Sequence, residues 1–177
     1  MANKTKKINF ELSTDMMLPI RRSIKLADTD LVDPYNANTL LDGEWCSLDT
    51  DGKLVRVTDV ATLGDEGSYP GNNNAFPVYN ERGRYDVQAN VEKMTTVMYI
   101  AQGLYEAKTR IFDDTVTYAY GSPLKAATIV VSDHGTNKNV SGVTLHGGSS
   151  DAAPVVGYVT KTVKNGELTF RSGTRNF

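Results

Sequence analysis

Nucleophilic chemistry in this chain would have to start from its single cysteine, Cys46, or from a serine beside a base, and only His134 and His146 are histidines. Cys46 follows Trp45 on an expected hairpin strand, where alternation turns one of the pair into the core, so the cysteine reads as a small buried hydrophobe. The run from His146 to Asp151, His-Gly-Gly-Ser-Ser-Asp, has the letters of a triad. It lacks the Gly-x-Ser-x-Gly elbow and the strand-to-helix setting that present a nucleophile, and a polar turn accounts for it. Two histidines and one cysteine are too few and too scattered for a zinc site. Asp49-Thr50-Asp51-Gly52 begins like a calcium loop, but a third ligand and the distal glutamate are missing, and hairpin-turn chemistry explains both aspartates. Gly64-Asp65-Glu66-Gly67 is a second acidic turn of that kind.

Neither glycine pattern that cradles phosphate occurs, nor the βαβ setting it needs. A pair of carboxylates for glycoside hydrolysis could be drawn from 21 acidic residues, but nothing singles one out. Nine tyrosines could line a sugar platform, with Tyr69, Tyr79 and Tyr85 in one loop, and they suit strands and protein interfaces equally. The expectation is a chain with no catalytic residues, no metal and no cofactor.

The elements that would position these groups are strands. Short runs rich in Val, Ile, Thr and Tyr alternate with clusters of Gly, Asn, Asp and Pro. One hairpin is expected from Trp45–Leu48 and Leu54–Thr58 around a type I′ turn at Asp51-Gly52. A second joins 156–163 to 168–171 around Asn165-Gly166. Further strands are expected in TTVMYIAQGLYEAKTRIF, TVTYAYGSPLKAATIVVS and NVSGVTLHG, broken at Gly103, at Gly121-Ser122-Pro123 and at Gly147-Gly148. No long stretch has helical period; at most a short turn or helix follows Pro34.

The fold class expected is therefore all-β: a small antiparallel β-barrel or sandwich with an extended N-terminal arm and one long irregular loop. Residues 1–22 would be the arm and 23–177 the body, with the loop at about 64–86, where Gly, Pro and three consecutive Asn gather.

A chain of 177 residues can bury a core without staples, and a lone cysteine permits no intramolecular disulfide. It is compatible with a reducing cytoplasm. Without a signal-peptide core or a run of about 18 apolar residues, a soluble protein with no membrane partner is expected. The sequon Asn139-Val140-Ser141 is then a chance match. A net charge of −2 argues against a nucleic-acid partner. Its distribution is uneven: Lys4, Lys6, Lys7, Arg21, Arg22 and Lys25 stand against Glu11 and Asp15, a surplus of +4 that leaves −6 for the rest. A basic arm ahead of an acidic body suits docking on another protein's acidic surface. Within the arm, Met16, Met17, Leu18 and Ile20 are apolar, Pro19 disfavours helix, and Arg21 and Arg22 follow. These six apolar and cationic residues are the candidate contact set for a neighbour's groove. The same stretch could instead be the first strand of the chain's own sheet.

The order of parts (LLDGEWCSLDTDGKLVRVTD, a middle loop, YIAQGLYEAKTRIFDD, YGSPLKAA and APVVGYVTKTVKNGELTF) resembles the decoration, or cement, proteins of tailed bacteriophage heads. The likeness runs from about Leu40 to Phe177, without the Gly64–Asp86 loop, and rests on a Gly-x-x-x-x-Leu-Asp hairpin at Gly43–Asp49, a Gly-Ser-Pro-Leu step and a closing Gly-Glu-Leu hairpin. It implies a virion structural protein made in the host cytoplasm. A homotrimer would sit on the capsid surface, with the arm on the major capsid protein and the assembled shell stabilised by linkage and multivalency. Deleting residues 1–22 should then abolish capsid binding and leave a folded body. A tail or fibre connector or adhesin, and a carbohydrate-binding domain, are the alternative readings.

Overall fold

The computed structural model describes residues 3–4, 10–14, 20–25, 40–41, 43–48, 54–56, 75–78, 96–102, 104–133, 136–151, 153 and 155–172. In chain order the strands are β1 (Asn3–Lys4), β2 (Phe10–Thr14), β3 (Ile20–Lys25), β4 (Trp45–Leu48), β5 (Leu54–Arg56) and β6 (Phe76–Pro77). They continue with β7 (Thr96–Gln102), β8 (Glu106–Thr109), β9 (Pro123–Asp133), β10 (Thr136–Leu145), β11 (Gly157–Lys164) and β12 (Glu167–Ser172). The protein is all-β. Among the described residues the one helical turn is a single 3-10 turn at Gly148–Ser150.

Seven strands form a curled sheet, a half-barrel, in the order β1-β9-β11-β12-β8-β2, with β10 on the other edge of β9. Every pairing in it is antiparallel except β1 with β9. Two smaller sheets accompany it, β3 with β7 and β5-β4-β6.

The hairpin expected around Asn165-Gly166 is present. Lys164 pairs with Glu167, and the two residues between them have φ of 55° and 69°, the pair of positive angles that a type I′ turn demands. The other hairpin, β4 with β5, also forms, and Leu48 pairs with Leu54. The five residues between them, with the turn expected at Asp51-Gly52, lie outside the described ones.

Phe170 is at the centre of the main core. Its ring lies 6.2 Å from Trp45, 6.3 Å from Phe10 and 6.5 Å from Tyr105, the last two edge-on. Phe112, Leu124, Val143, Val159 and Leu168 complete the cluster. Alternation was expected to bury only one of Trp45 and Cys46. Both are buried: Trp45 enters the main core, and Cys46, its neighbour on β4, has no exposed surface either.

The β9–β10 hairpin serves two interiors. Leu124 and Ala126 of β9, with Val143 and Leu145 of β10, face the main core. Farther along, Ile129 and Val131, with Val140, face the other way into a second cluster with Ile111 and Leu41. Gly142 sits where the faces change. A Cβ there would collide with the Ile129 side chain and lie 2.7 Å from the Ile111 carbonyl oxygen.

Three expectations need correction. Thr115–Tyr120, expected as strand, is turn and irregular chain: the Asp113 carboxylate takes both the N–H and the hydroxyl of Thr115, and Tyr118 donates its hydroxyl to the Asp113 carbonyl, 2.8 Å away. Within the loop expected at 64–86, Phe76–Pro77 form β6 on the edge of β4, with Ala75 and Val78 on either side of it; residues 64–74 and 79–86, and the turn expected after Pro34, lie outside the described residues. The described parts of the N-terminal arm are strands, and they pair with this chain's own strands: β1 with β9, β2 with β8, β3 with β7. Phe10 is 2 % exposed and belongs to the main core, so deleting residues 1–22 would remove a core strand and would not leave the body intact.

Candidate functional site

Of the six candidate docking residues, Met16, Met17 and Leu18 lie outside the described residues. Ile20, Arg21 and Arg22 are on β3, opposite Gln102, Ile100 and Tyr99 of β7. Ile100 is buried in the main core, so this two-stranded ribbon is fastened to the half-barrel through its β7 side. The N-terminal chain touches both ends of the curled sheet, with β1 on β9 and β2 on β8. Lys4 and Phe10 are six residues apart, which caps their separation at about 22 Å for a fully extended chain. The residues between β1 and β2 lie outside the described ones.

The groups weighed for catalysis are placed as follows. Cys46 is in no disulfide and has no exposed surface. His134, the acidic turns at 49–52 and 64–67, and Tyr69, Tyr79 and Tyr85 lie outside the described residues. His146 has both ring nitrogens on backbone: Nδ1 accepts from the Gly148 N–H at 3.1 Å, which makes Nε2 the protonated nitrogen, donating to the Ala153 carbonyl at 2.8 Å. Asp151 does not orient the imidazole as a triad member would. Its Oδ2 accepts from Lys125 Nζ at 2.6 Å and the Gly147 N–H at 2.8 Å, and its Oδ1 from the Ala153 N–H at 3.1 Å. The six-residue run is thus a closed turn fastened to β9 through Lys125. Tyr105 and Tyr118 are core residues whose phenols burial pushes well above the ordinary value. Among the described residues no three His, Cys, Asp or Glu side chains converge as a metal-ion set would.

Two further carboxylates follow the same pattern. Burial pulls Asp113 upward, but bonds from the Thr115 hydroxyl and N–H and the Thr144 hydroxyl outweigh it and hold the carboxyl below its usual value. Glu44 is fully buried: Oε1 accepts the Leu41 N–H at 2.7 Å and Oε2 the Ser141 N–H at 3.1 Å. It ties the chain ahead of β4 to the edge of β10. Sequence reasoning missed Glu44, counting it as one more acidic residue of the body. The available signal was its place between Gly43 and the paired Trp45-Cys46, where a solvated carboxylate is out of pattern.

Asp151 gives this arrangement a pH signature. The Lys125 ammonium, then the Gly147 N–H, hold its carboxyl well below the ordinary 3.8, against the pull of desolvation. A carboxyl lowered on folding stabilises the fold above its unfolded value, and that contribution is lost as pH falls from there through the folded value. Asp151→Asn should lower stability at neutral pH and flatten the fall in the urea midpoint between about pH 5 and pH 2. Parallel wild-type and variant curves would show that Lys125 and Asp151 do not interact in solution.

Searches of family models, of curated proteins and of solved structures return no match to this chain, so the half-barrel, its β-paired N-terminal segment and the backbone-bound carboxylates are what identify it.

Proposed function

We propose that the chain is a structural, non-catalytic protein that binds the outside of an assembled phage capsid and stabilises it, as a decoration protein does. The observation that carries the proposal is how the polar groups are used. Glu44, Asp113, His146 and Asp151 all bond backbone of the β body, which is how a scaffold employs them, while the cationic surplus lies in the first 25 residues of the sequence. A lattice-bound ligand stabilises the lattice by linkage, and symmetric copies compound modest contacts, so neither a pocket nor a cofactor is required. The major capsid protein is the partner and a homotrimer the binding form.

Because β2 belongs to the core, the test uses point variants. Light scattering of the purified chain should give a trimer, and the trimer should co-sediment with expanded, undecorated heads of the same phage. Arg21→Glu with Arg22→Glu should leave the fold intact and reduce co-sedimentation about tenfold or more, since each charge at the edge of a protein interface contributes several tenths of a kcal/mol and reversal doubles the change. A monomer left wholly in the supernatant would overturn the proposal. Immunogold label found on tails alone would move the chain to a tail or fibre.

A further inference from the structure

The turn between β11 and β12 is Asn165-Gly166, and Asn165 is exposed. This dipeptide is the one in which the next backbone nitrogen meets least hindrance in reaching the asparagine side chain. Gly166 N can form a bond to Asn165 Cγ while the Cγ–Nδ2 bond breaks. The nitrogen leaves as ammonia with the proton lost from the Gly166 amide, and water then opens the succinimide to aspartate or isoaspartate. No oxidant or cofactor is involved.

Ring closure has a geometric requirement: Gly166 N must come into line with the Asn165 Cβ about the Cα–C bond. A type I′ turn sets ψ of its first central residue near about +30°, the mirror of type I, which puts that nitrogen almost opposite Cβ. The turn seen here, with φ of 55° and 69°, is therefore in a non-reacting shape. One side chain holds it. Arg110, beyond the end of β8, lies with Nη1 3.3 Å from the Asn165 carbonyl oxygen and 3.4 Å from that of Gly166. Its Nη2 is 2.6 Å from Glu167 Oε1. The guanidinium is mostly buried, and its fork grips both turn carbonyls and the first residue of β12 together.

We propose that Asn165 is a deamidation site held in check by the fold, and that Arg110 is the positioning residue that keeps it so. Conversion to isoaspartate would add a backbone carbon to the turn and break the Lys164–Glu167 register.

The test compares folded wild type, folded Arg110→Ala and Arg110→Lys, and wild type in denaturant, incubated at one pH and temperature. Tryptic digestion at mildly acidic pH releases Asn165–Arg171, whose converted fraction is read by mass spectrometry. Folded wild type should react at least about tenfold more slowly than the denatured chain, and Arg110→Ala about tenfold faster than folded wild type, the factor lost with one charge-assisted hydrogen bond. Arg110→Lys, a point charge without the fork, should fall nearer to Arg110→Ala. Equal rates in folded and denatured wild type would overturn protection by the turn. A wild-type rate in Arg110→Lys, which keeps charge and length should the alanine variant not fold, would overturn the assignment of Arg110.

Discussion

Phe170→Ala should destabilise the protein by about 3–5 kcal/mol, the range for removing a fully buried phenylalanine and leaving its cavity. Phe170 has no exposed surface and meets rings from three elements: Phe10 on β2, Trp45 on β4 and Tyr105 beside β8. Edge-on pairs contribute about 0.5–1.5 kcal/mol beyond buried area, so the loss exceeds the transfer of one ring. Against a total stability of about 5–15 kcal/mol, the variant should have a much lower urea midpoint and a collapsed near-ultraviolet spectrum. Phe170→Leu keeps most of the volume and should cost less. An alanine variant within about 0.5 kcal/mol of wild type, the size of an ordinary surface substitution, would mean that the half-barrel does not close over this ring.

Glu44→Gln should cost nearly as much as Glu44→Ala. The two carboxylate oxygens each accept a different backbone N–H, from Leu41 and from Ser141. An amide has one acceptor oxygen and presents its NH₂ to the second donor, so one buried N–H must face another. Hydrogen bonds to a charged group are worth about 1.5–3 kcal/mol each, and an orphaned buried donor costs about 1–3 kcal/mol. Both variants should lose about 3–5 kcal/mol in urea unfolding, close to what breaking a buried charge's interactions costs elsewhere. A glutamine variant as stable as wild type would show that the second bond is not made. The amide of Ser141 reports this directly: its hydrogen exchange should speed up in either variant.

Local chemistry made some of this legible. Asn-Gly between alternating runs specifies a turn by backbone sterics alone, and β11–β12 formed where expected. The hairpin of β4 with β5 also formed where expected, while its turn at Asp51-Gly52 lies outside the described residues. Thr115–Tyr120 had strand composition, but one aspartate side chain competing for its backbone prevailed. The two interiors served by β9–β10 were hidden because the alternation runs unbroken along both strands, so the pattern does not say which face is covered at each end. Glu44 was invisible because its donors lie on backbone, and one of them, Ser141, is 97 positions away. For the docking set, sequence supplied the residues and the structure adds the strand that holds three of them, Ile20, Arg21 and Arg22.

The pairing of β1 and β2 with the curled sheet has a consequence for solubility. An open sheet has two outer strands whose free N–H and C=O groups invite other chains to pair. Here β2 covers one side of β8, and β1 covers the far end of β9, both within a dozen or so residues of the start. A clipped or misprocessed N-terminus would bare two templates for strand addition in one stroke. Self-association into fibrils is the failure to which this architecture is exposed.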